Sequence, residues 1–552
     1  MMKKKNDIEK KVAICIVFDR RSDGFGGGSK EMDKQIWIVG VASLLLLAVS
    51  GCATERQAAP DLVRPAPFLP QVSELWGSKG EKWQPSGRLP DFSYAGYRSG
   101  EQPIPDYPVK AGVESFGARG DDEADDTAAF QAALAATESG AIWVPPGRYI
   151  ITGVLRVNRS GVVLRGAGQG LTTLYFPKPL EAIEPNLGMT THGRPTSEYS
   201  WSGGFVRFEG SFRSEILTPI LRTAMRGTRV ISVASPKAVV AGQTVEVFLQ
   251  DTPDNTLAKH LYANDPGGME KLHGKTAASL VTRVASSLDG VVVLDRGLRF
   301  DVRSQWHPAL RAFEPTVQDS GVEDLTFEFP PEPYRGHFTE QGFNPVAFVD
   351  VAHCWARRVR FVNPDSGPMV LGAFNTVSEV VYESKRLADA SGAQGHHGVY
   401  LQHMGDHLFT RFDISMVFLH DISVSQCAGV VVSNGKGIDL CFDHHKRAPY
   451  EILFTNIDLG KGSRPWQSSG GAGLGKHAGA RVTFWNLHAA RPLPKPPQDF
   501  APDAINLVGV NLAASQGLNA NGVWREGSPG NQFMPKDLHA AQLQQRLHRG
   551  DQ

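Results

Sequence analysis

Cysteine is scarce. The five in 552 residues (Cys15, Cys52, Cys354, Cys427 and Cys441) form no C-x-x-C pair, which excludes a zinc knuckle or dithiol redox motif of that spacing, and so few, so scattered, argue against a disulfide framework. Net charge is also missing. Lys+Arg and Asp+Glu stand at 57 each, so there is no electrostatic case for nucleic acid as a partner. No apolar run reaches transmembrane length, the longest being Ile36 to Val49. No tract is of low complexity. Glycine and proline are abundant, at 58 and 36, and they predict many tight turns between short strands.

The run "IWIVGVASLLLLAV" has the length of a signal-peptide apolar region. It leads into Val49-Ser50-Gly51-Cys52, which resembles the bacterial lipobox, where small residues precede a cysteine that is lipidated and becomes the new N-terminus. The resemblance implies lipidation of Cys52. Ala53 follows rather than Asp, which implies an anchor in the outer membrane of the cell envelope. An uncleaved anchor, or a signal peptide with an unrelated cysteine, is the alternative. Met32 is a natural start for such a leader, so residues 1–31 read as the product of an upstream start codon. Residues 53–105, rich in Pro, Gly, Ser and charge, read as a tether, with Leu89 to Pro105 ordered by its aromatics.

From Val113 the pattern changes. Asp125 or Asp126 caps a predicted helix over Thr127 to Ala136, with Phe130 and Leu134 on one face and Gly140 ending it. Short strands follow at Ile142–Val144, Tyr149–Ile151, Val154–Val157 and Val162–Leu164. Pro145-Pro146-Gly147 and Ser160-Gly161 supply the turns. The segment resembles the opening of the pectate-lyase superfamily. The matching residues are Phe116-Gly117-Ala118, Gly120-Asp121, Asp125-Asp126-Thr127, Ala129-Phe130-Gln131, Ala133, Val144-Pro145, Gly147, Tyr149, Leu164-Arg165-Gly166 and Gly168. The resemblance implies an all-β fold, a right-handed parallel β-helix whose N-terminal helix caps the open end. It implies action on polysaccharide but not one reaction, since pectate lyases, polygalacturonases, other glycosidases, epimerases and phage tailspikes share the opening.

Further on, apolar strands centred on Leu325, Val359, Val381, Ile422, Ile457, Leu487 and Val510 recur at coil spacings of roughly 20 to 35 residues. The widest gap holds two coils, with "GVYLQHM" around Leu401 as the extra strand. The β-helix is expected over residues 106–515. An inserted or irregular β region is expected at 218–312. A tail over 516–552 ends in an amphipathic helix with Leu538, Leu543 and Leu547 apolar. Arg357-Arg358 and Lys385-Arg386 read as a solvated face.

Catalytic groups on such a solenoid come from neighbouring coils, ~4.8 Å apart. "GIDLCFDHHKRAP" alternates apolar Ile438, Leu440 and Phe442 with Asp439, Cys441 and Asp443. Parity turns the second set outward, followed by His445 and Arg447, and turns His444 inward or into the turn. Neighbouring coils supply His396, His397, Tyr400, His403, Asp406, His407, His420 and Asp421 on one side. Arg464, Trp466, Lys476 and His477 come from the other. Eight of the 17 histidines lie between His396 and His477.

β-Elimination from a uronate needs a base, a positive group for the carboxylate and an acid for the leaving oxygen. His445 or His397 is the candidate base, Tyr400 the acid, and Asp443 the group that orients a histidine. Arg447 and Arg464 are candidate carboxylate neutralisers, while His396, Trp466, Lys476 and His477 are further candidate substrate contacts. A glycoside hydrolase is the alternative. Asp439 and Asp443, ~13 Å apart on one strand, are too distant to be its carboxyl pair, so that pair would span coils. A metal site using Asp443, His445 and a histidine of the next coil is a third reading. The H-x-x-x-H spacing of His403 and His407 is a weak signal, because Gly405 opposes a helix. The sequence assigns no definite cofactor. A divalent cation such as calcium fits the resemblance, but the superfamily's aspartate cluster and the polygalacturonase motifs are not recognisable. A non-catalytic glycan-binding or adhesive solenoid is the remaining reading.

Overall fold

The computed structural model describes residues 71–190, 193–513, 522–527 and 532–550. Cys52, the leader and residues 53–70 of the expected tether lie outside the described residues. The fold is the expected right-handed parallel β-helix. A helix over Thr127–Ala136 closes its N-terminal end, burying Phe130 and Leu134. Asp125 caps that helix from outside, accepting from the backbone N–H of Thr127 at 3.0 Å. Asp126 accepts instead from the N–H groups of Arg119 and Ile150, tying the cap to the first coils.

Two parallel sheets build the solenoid, the shorter ending at Phe442–His444 while the longer runs on to Trp524–Glu526. One has fifteen strands and the other seven. The long sheet is bent along one line. Asp324, Arg358, Glu379, Arg411, Asn434, Asn456 and Asn486 follow residues that pair coil to coil, and each has a positive φ of 51–60°. Gly509 takes the same place on the next coil. A left-handed residue repeated in register folds each strand at the same point, so the solenoid presents three faces. Its interior stacks in register as well: Phe176, Phe327, Phe361, Tyr382 and Phe418 form a column with ring centroids 5.0–5.8 Å apart.

The strand centres read from the sequence divide between the two sheets. Leu325 pairs with Val359, and Ile457 with Leu487 and then Val510, in the long sheet. Ile422 does not belong there. It sits in the seven-stranded sheet beside Val399 and Phe442, and the long sheet's strand at that coil is Leu408–Ser415. Both strands of one coil carry the same apolar alternation, so spacing alone cannot assign them.

Residues 216–312 hold a six-stranded antiparallel sheet with its own core, docked on the solenoid through Ala428, Ala448 and Tyr450. Residues 71–105 run along the long sheet, where Leu75, Trp76, Leu89, Phe92 and Ala95 pack on Val431, Leu453, Trp485 and Val508. The stretch read as tether is therefore part of the folded body from residue 71 onward. The tail helix, Leu538–Gly550, joins the same cluster through Leu538, while Leu547 is exposed and Gln542 is the buried contact. Gln542 bonds Phe92 N and Pro90 O, so a side-chain amide does what a leucine stripe was expected to do. Each basic doublet is solvated at one residue, Arg358 and Lys385, and committed to a buried acid at the other. Arg357 is bonded to buried Glu323, and Arg386 is buried against Asp365 at 2.8 Å.

Candidate functional site

The last three strands of the seven-stranded sheet, Gly395–Gly405, Phe418–Ser425 and Phe442–His444, build the site. Their register stacks Val399, Ile422 and Phe442 in the core and Tyr400, Ser423 and Asp443 in the row facing away from it. His444 pairs with Val424 and turns inward, its ring 5.2–6.2 Å from Phe454, Phe484 and Phe500. Parity thus reads correctly for Leu440, Phe442, Asp443 and His444. It fails for Ile438, which is 39% exposed. The strand is only three residues long, and Asp439 before it forms an isolated antiparallel bridge with Gly460 and accepts from Ser463 N at 2.7 Å.

The two glycines of "GHHG" fit the doublet between coils. A Cβ on Gly398 would lie 2.3 Å from the Asp421 carbonyl oxygen, and one on Gly395 would lie 2.8 Å from Asp365 O and the Phe418 ring. Close coil contact at both ends carries His396 and His397 toward the next strand, where His397 faces His420. The rings of His396 and His397 stack at 4.0 Å, and Tyr400 lies 4.9 Å from His397.

Asp443 is the hub. Its side chain is fully buried and accepts four hydrogen bonds or near contacts. Ser423 Oγ donates to Oδ2 at 2.7 Å, and Ser469 donates to Oδ1 from N at 2.6 Å and from Oγ at 2.8 Å. His445 Nδ1 stands 3.6 Å from Oδ2. Burial works to raise this acid, but His420 and His445 outweigh it and hold the carboxyl well below its usual range. Both serine protons are committed to the carboxylate. Each serine oxygen therefore accepts from the histidine beside it: His397 Nδ1 lies 2.8 Å from Ser423 Oγ, and His445 Nδ1 lies 2.5 Å from Ser469 Oγ. Two histidines are relayed to one carboxylate through two serines. The relay puts the proton on Nδ1 and leaves Nε2 of His445 as a lone pair, able to accept a proton.

The surrounding groups are tuned by burial. Desolvation holds His396 and His397 well below the ordinary imidazole range, reinforced by neighbouring histidines. It brings His337 down to about 4. Tyr400 is pushed up by burial and by the Asp443 charge, so its phenol keeps its proton. Glu340, which accepts from Tyr334 and Ser200 and lies 3.5 Å from His396 Nδ1, is raised by burial to about 7.

The structure brings His396, His397, Tyr400, Asp443 and His445 together, and places the other predicted residues elsewhere. Trp466 is buried in the core, edge-on to Phe484 and Phe500, with its indole N–H on Pro494 O at 2.6 Å; it is no sugar platform. Arg464 is committed to buried Asp421 at 2.7 Å. The strand ends before Arg447, whose left-handed φ of 61° carries it off the outward row and onto a cavity of about 360 Å³ shared with Lys271, Lys275, Asp350 and His403. Lys476 pairs with Asp265 at 2.6 Å, and His477 contacts His444 O at 3.2 Å and Asp499 at 3.6 Å. His403 lies near the end of the strand Gly395–Gly405 and His407 in the link after it, neither on a helix. Asp406 between them is buried in a fork of Arg296 and Arg299.

Sequence reasoning missed His337, Glu340, Ser423 and Ser469. His337 and Glu340 lie in the 329–345 connection, whose proline-rich sequence has no periodicity to place it. The serines are commonplace in turns, and only the register shows them beside Asp443.

Residues 111–181 match the family model described as Rhamnogalacturonase A/epimerase, pectate lyase-like. The match spans the capping helix and first coils. No curated protein matches the chain. Among solved structures, the chain is similar to the Gp54 tailspike of Acinetobacter baumannii bacteriophage AP22, in complex with a capsular saccharide. Identity is 10%, covering 75% of this chain and 78% of that one, with a TM-score of 0.31. It is similar to an exopolygalacturonase from Thermotoga maritima at 9% identity, covering 74% and 77%, with a TM-score of 0.33. The A-module of the mannuronan C-5 epimerase AlgE4 from Azotobacter vinelandii is 13% identical, covering 77% and 100%, with a TM-score of 0.25.

Proposed function

We propose that the chain is a carbohydrate-active enzyme that cleaves an acidic extracellular polysaccharide by β-elimination. The observation that carries this is the His445–Ser469–Asp443 relay. It fixes one tautomer, backs it with an ionised carboxylate, and leaves Nε2 free on the most accessible ring of the relay, whose side chain is 35% exposed. That is the requirement for taking the proton α to a uronate carboxyl. Tyr400, kept protonated and with its ring 5.8 Å from that of His445, is the acid for the leaving oxygen. Arg447, two residues beyond His445, shares a cavity of about 360 Å³ with Lys271 and Lys275, and this is the positive charge we assign to the substrate carboxylate; Arg464, tied to Asp421, cannot take that role. The name of the family model matched by the first coils supports pectin-type polymers as the substrate class.

Glycoside hydrolysis is the second reading. Asp443 is held ionised while Glu340 sits at about 7, the divergence that assigns a base and an acid. Glu340 is buried behind His396, which favours elimination. Incubation with uronate polymers separates the readings, since only elimination yields an unsaturated, ultraviolet-absorbing product. His445→Ala is expected to lower kcat by about 10²–10⁴-fold. Full activity in that variant would remove His445 as the base. Binding with no product of either kind would leave a glycan-binding solenoid.

A further inference from the structure

Three imidazoles of the cluster have no part in the relay. His337 comes from the 329–345 connection, His396 from the strand Gly395–Gly405 and His420 from the strand Phe418–Ser425. One nitrogen of each lies within 4.8 Å of the others. The ring centroids of His337 are 4.6 Å from those of His396 and 5.8 Å from those of His420. His396 and His420 are buried, at 2% and 7% exposure, and the Nδ1 atom of each has no hydrogen-bond partner. A buried ring nitrogen without a partner is costly, and the cluster holds two of them.

We infer that His337, His396 and His420 form a binding site for one divalent transition-metal ion, with zinc the best match. The donor set is all imidazole, which suits zinc, copper or nickel and disfavours the oxygen-seeking calcium and magnesium. A carboxylate stands near each buried ring: Glu340 is 3.5 Å from His396 Nδ1, and Asp443 is 3.9 Å from His420 Nδ1. These are the same partnerless Nδ1 atoms, so both carboxylates would face the ion and add negative charge beside it. Nitrogens around a tetrahedral zinc stand ~3.4 Å apart at the usual bond length, so the cluster must close slightly. His337 is the ring free to move, because it is the least buried of the three and rides on a loop. Three protein ligands would leave a fourth position open, as in catalytic rather than structural zinc sites. Metal binding here does not depend on the polysaccharide reading.

The test uses the untagged full chain, stripped with chelator and titrated with ZnCl₂ by calorimetry. One saturable zinc per chain is expected, with cobalt giving the visible absorption of a tetrahedral nitrogen site and calcium giving no heat. His337→Ala, chosen because its side chain is not part of the core, should weaken zinc at least tenfold and abolish the rise in Tm that zinc gives the parent chain. No saturable zinc binding, unchanged affinity in His337→Ala, or stoichiometric calcium in place of zinc would each overturn the site.

Discussion

His444 and His445 are neighbours in the chain with opposite fates. His445 faces the relay. His444 lies in the aromatic core, its Nδ1 on Phe442 O at 3.1 Å and its Nε2 without a partner, and burial brings it down to about 4. Its folded-state value is thus below the unfolded 6.5, so the unfolded chain binds the extra proton. Its contribution, on the order of 3 kcal/mol, is present above pH 6.5 and lost as pH falls toward about 4. His337 and His407 shift to about 4 as well, with the same sign. Glu340 runs the other way, since a raised acid favours the folded state at low pH, but it is one group against several. Denaturant midpoints should therefore drop steeply between pH 6.5 and 4. His444→Leu should flatten that slope by about one proton at little stability cost at pH 7, because it replaces a half-satisfied ring with an apolar side chain. An unchanged slope would mean His444 is protonated in the fold.

At the scale of elements, legibility follows locality. The capping helix was readable to its bounds, since its capping acid and apolar face are within its own sequence; its stop was misassigned, because Thr137 ends it with its hydroxyl on Ala133 O at 2.8 Å and Gly140 opens the next strand. The strand carrying Asp443 was readable for its inner residues, because alternation is local. Its ends were not, because they depend on the bend at Ile438 and on the left-handed run Lys446, Arg447 and Ala448. The partners of Asp443 come from a strand 20 residues earlier and a loop 26 residues later, and neither carries a pattern pointing back. Trp466 shows the same limit. An aromatic beside glycine and serine reads equally as platform or core, and contacts with Phe484 and Phe500 decide it. Trp466→Ala is expected to destabilise by about 3–5 kcal/mol, seen in urea unfolding. Substrate KM should remain near the parent value in the folded fraction.

At the scale of the whole molecule, the β-helix was legible and the inserted sheet's seat was not. That seat rests on charge. Arg296 and Arg299 of the insert are both buried on Asp406 of the solenoid, and Arg226 reaches buried Glu451 at 2.8 Å. Nothing about "HMGDH" in the sequence distinguishes this hub from a metal motif. Removing its charge strands two buried guanidiniums, so Asp406→Asn should cost about 3–5 kcal/mol. The loss should appear as early protection loss in hydrogen exchange over the insert. The insert also walls the cavity holding Arg447, Lys271 and Lys275, so the same variant should raise KM for an anionic polymer.

Elimination at the relay is tested most directly by counting two products in one reaction on a uronate polymer: unsaturated chain ends by ultraviolet absorbance, and new reducing ends by chemistry. One unsaturated end per reducing end, with both lost in His445→Ala, is the expected result. Reducing ends with no absorbance, or equal release by His445→Ala, would contradict it.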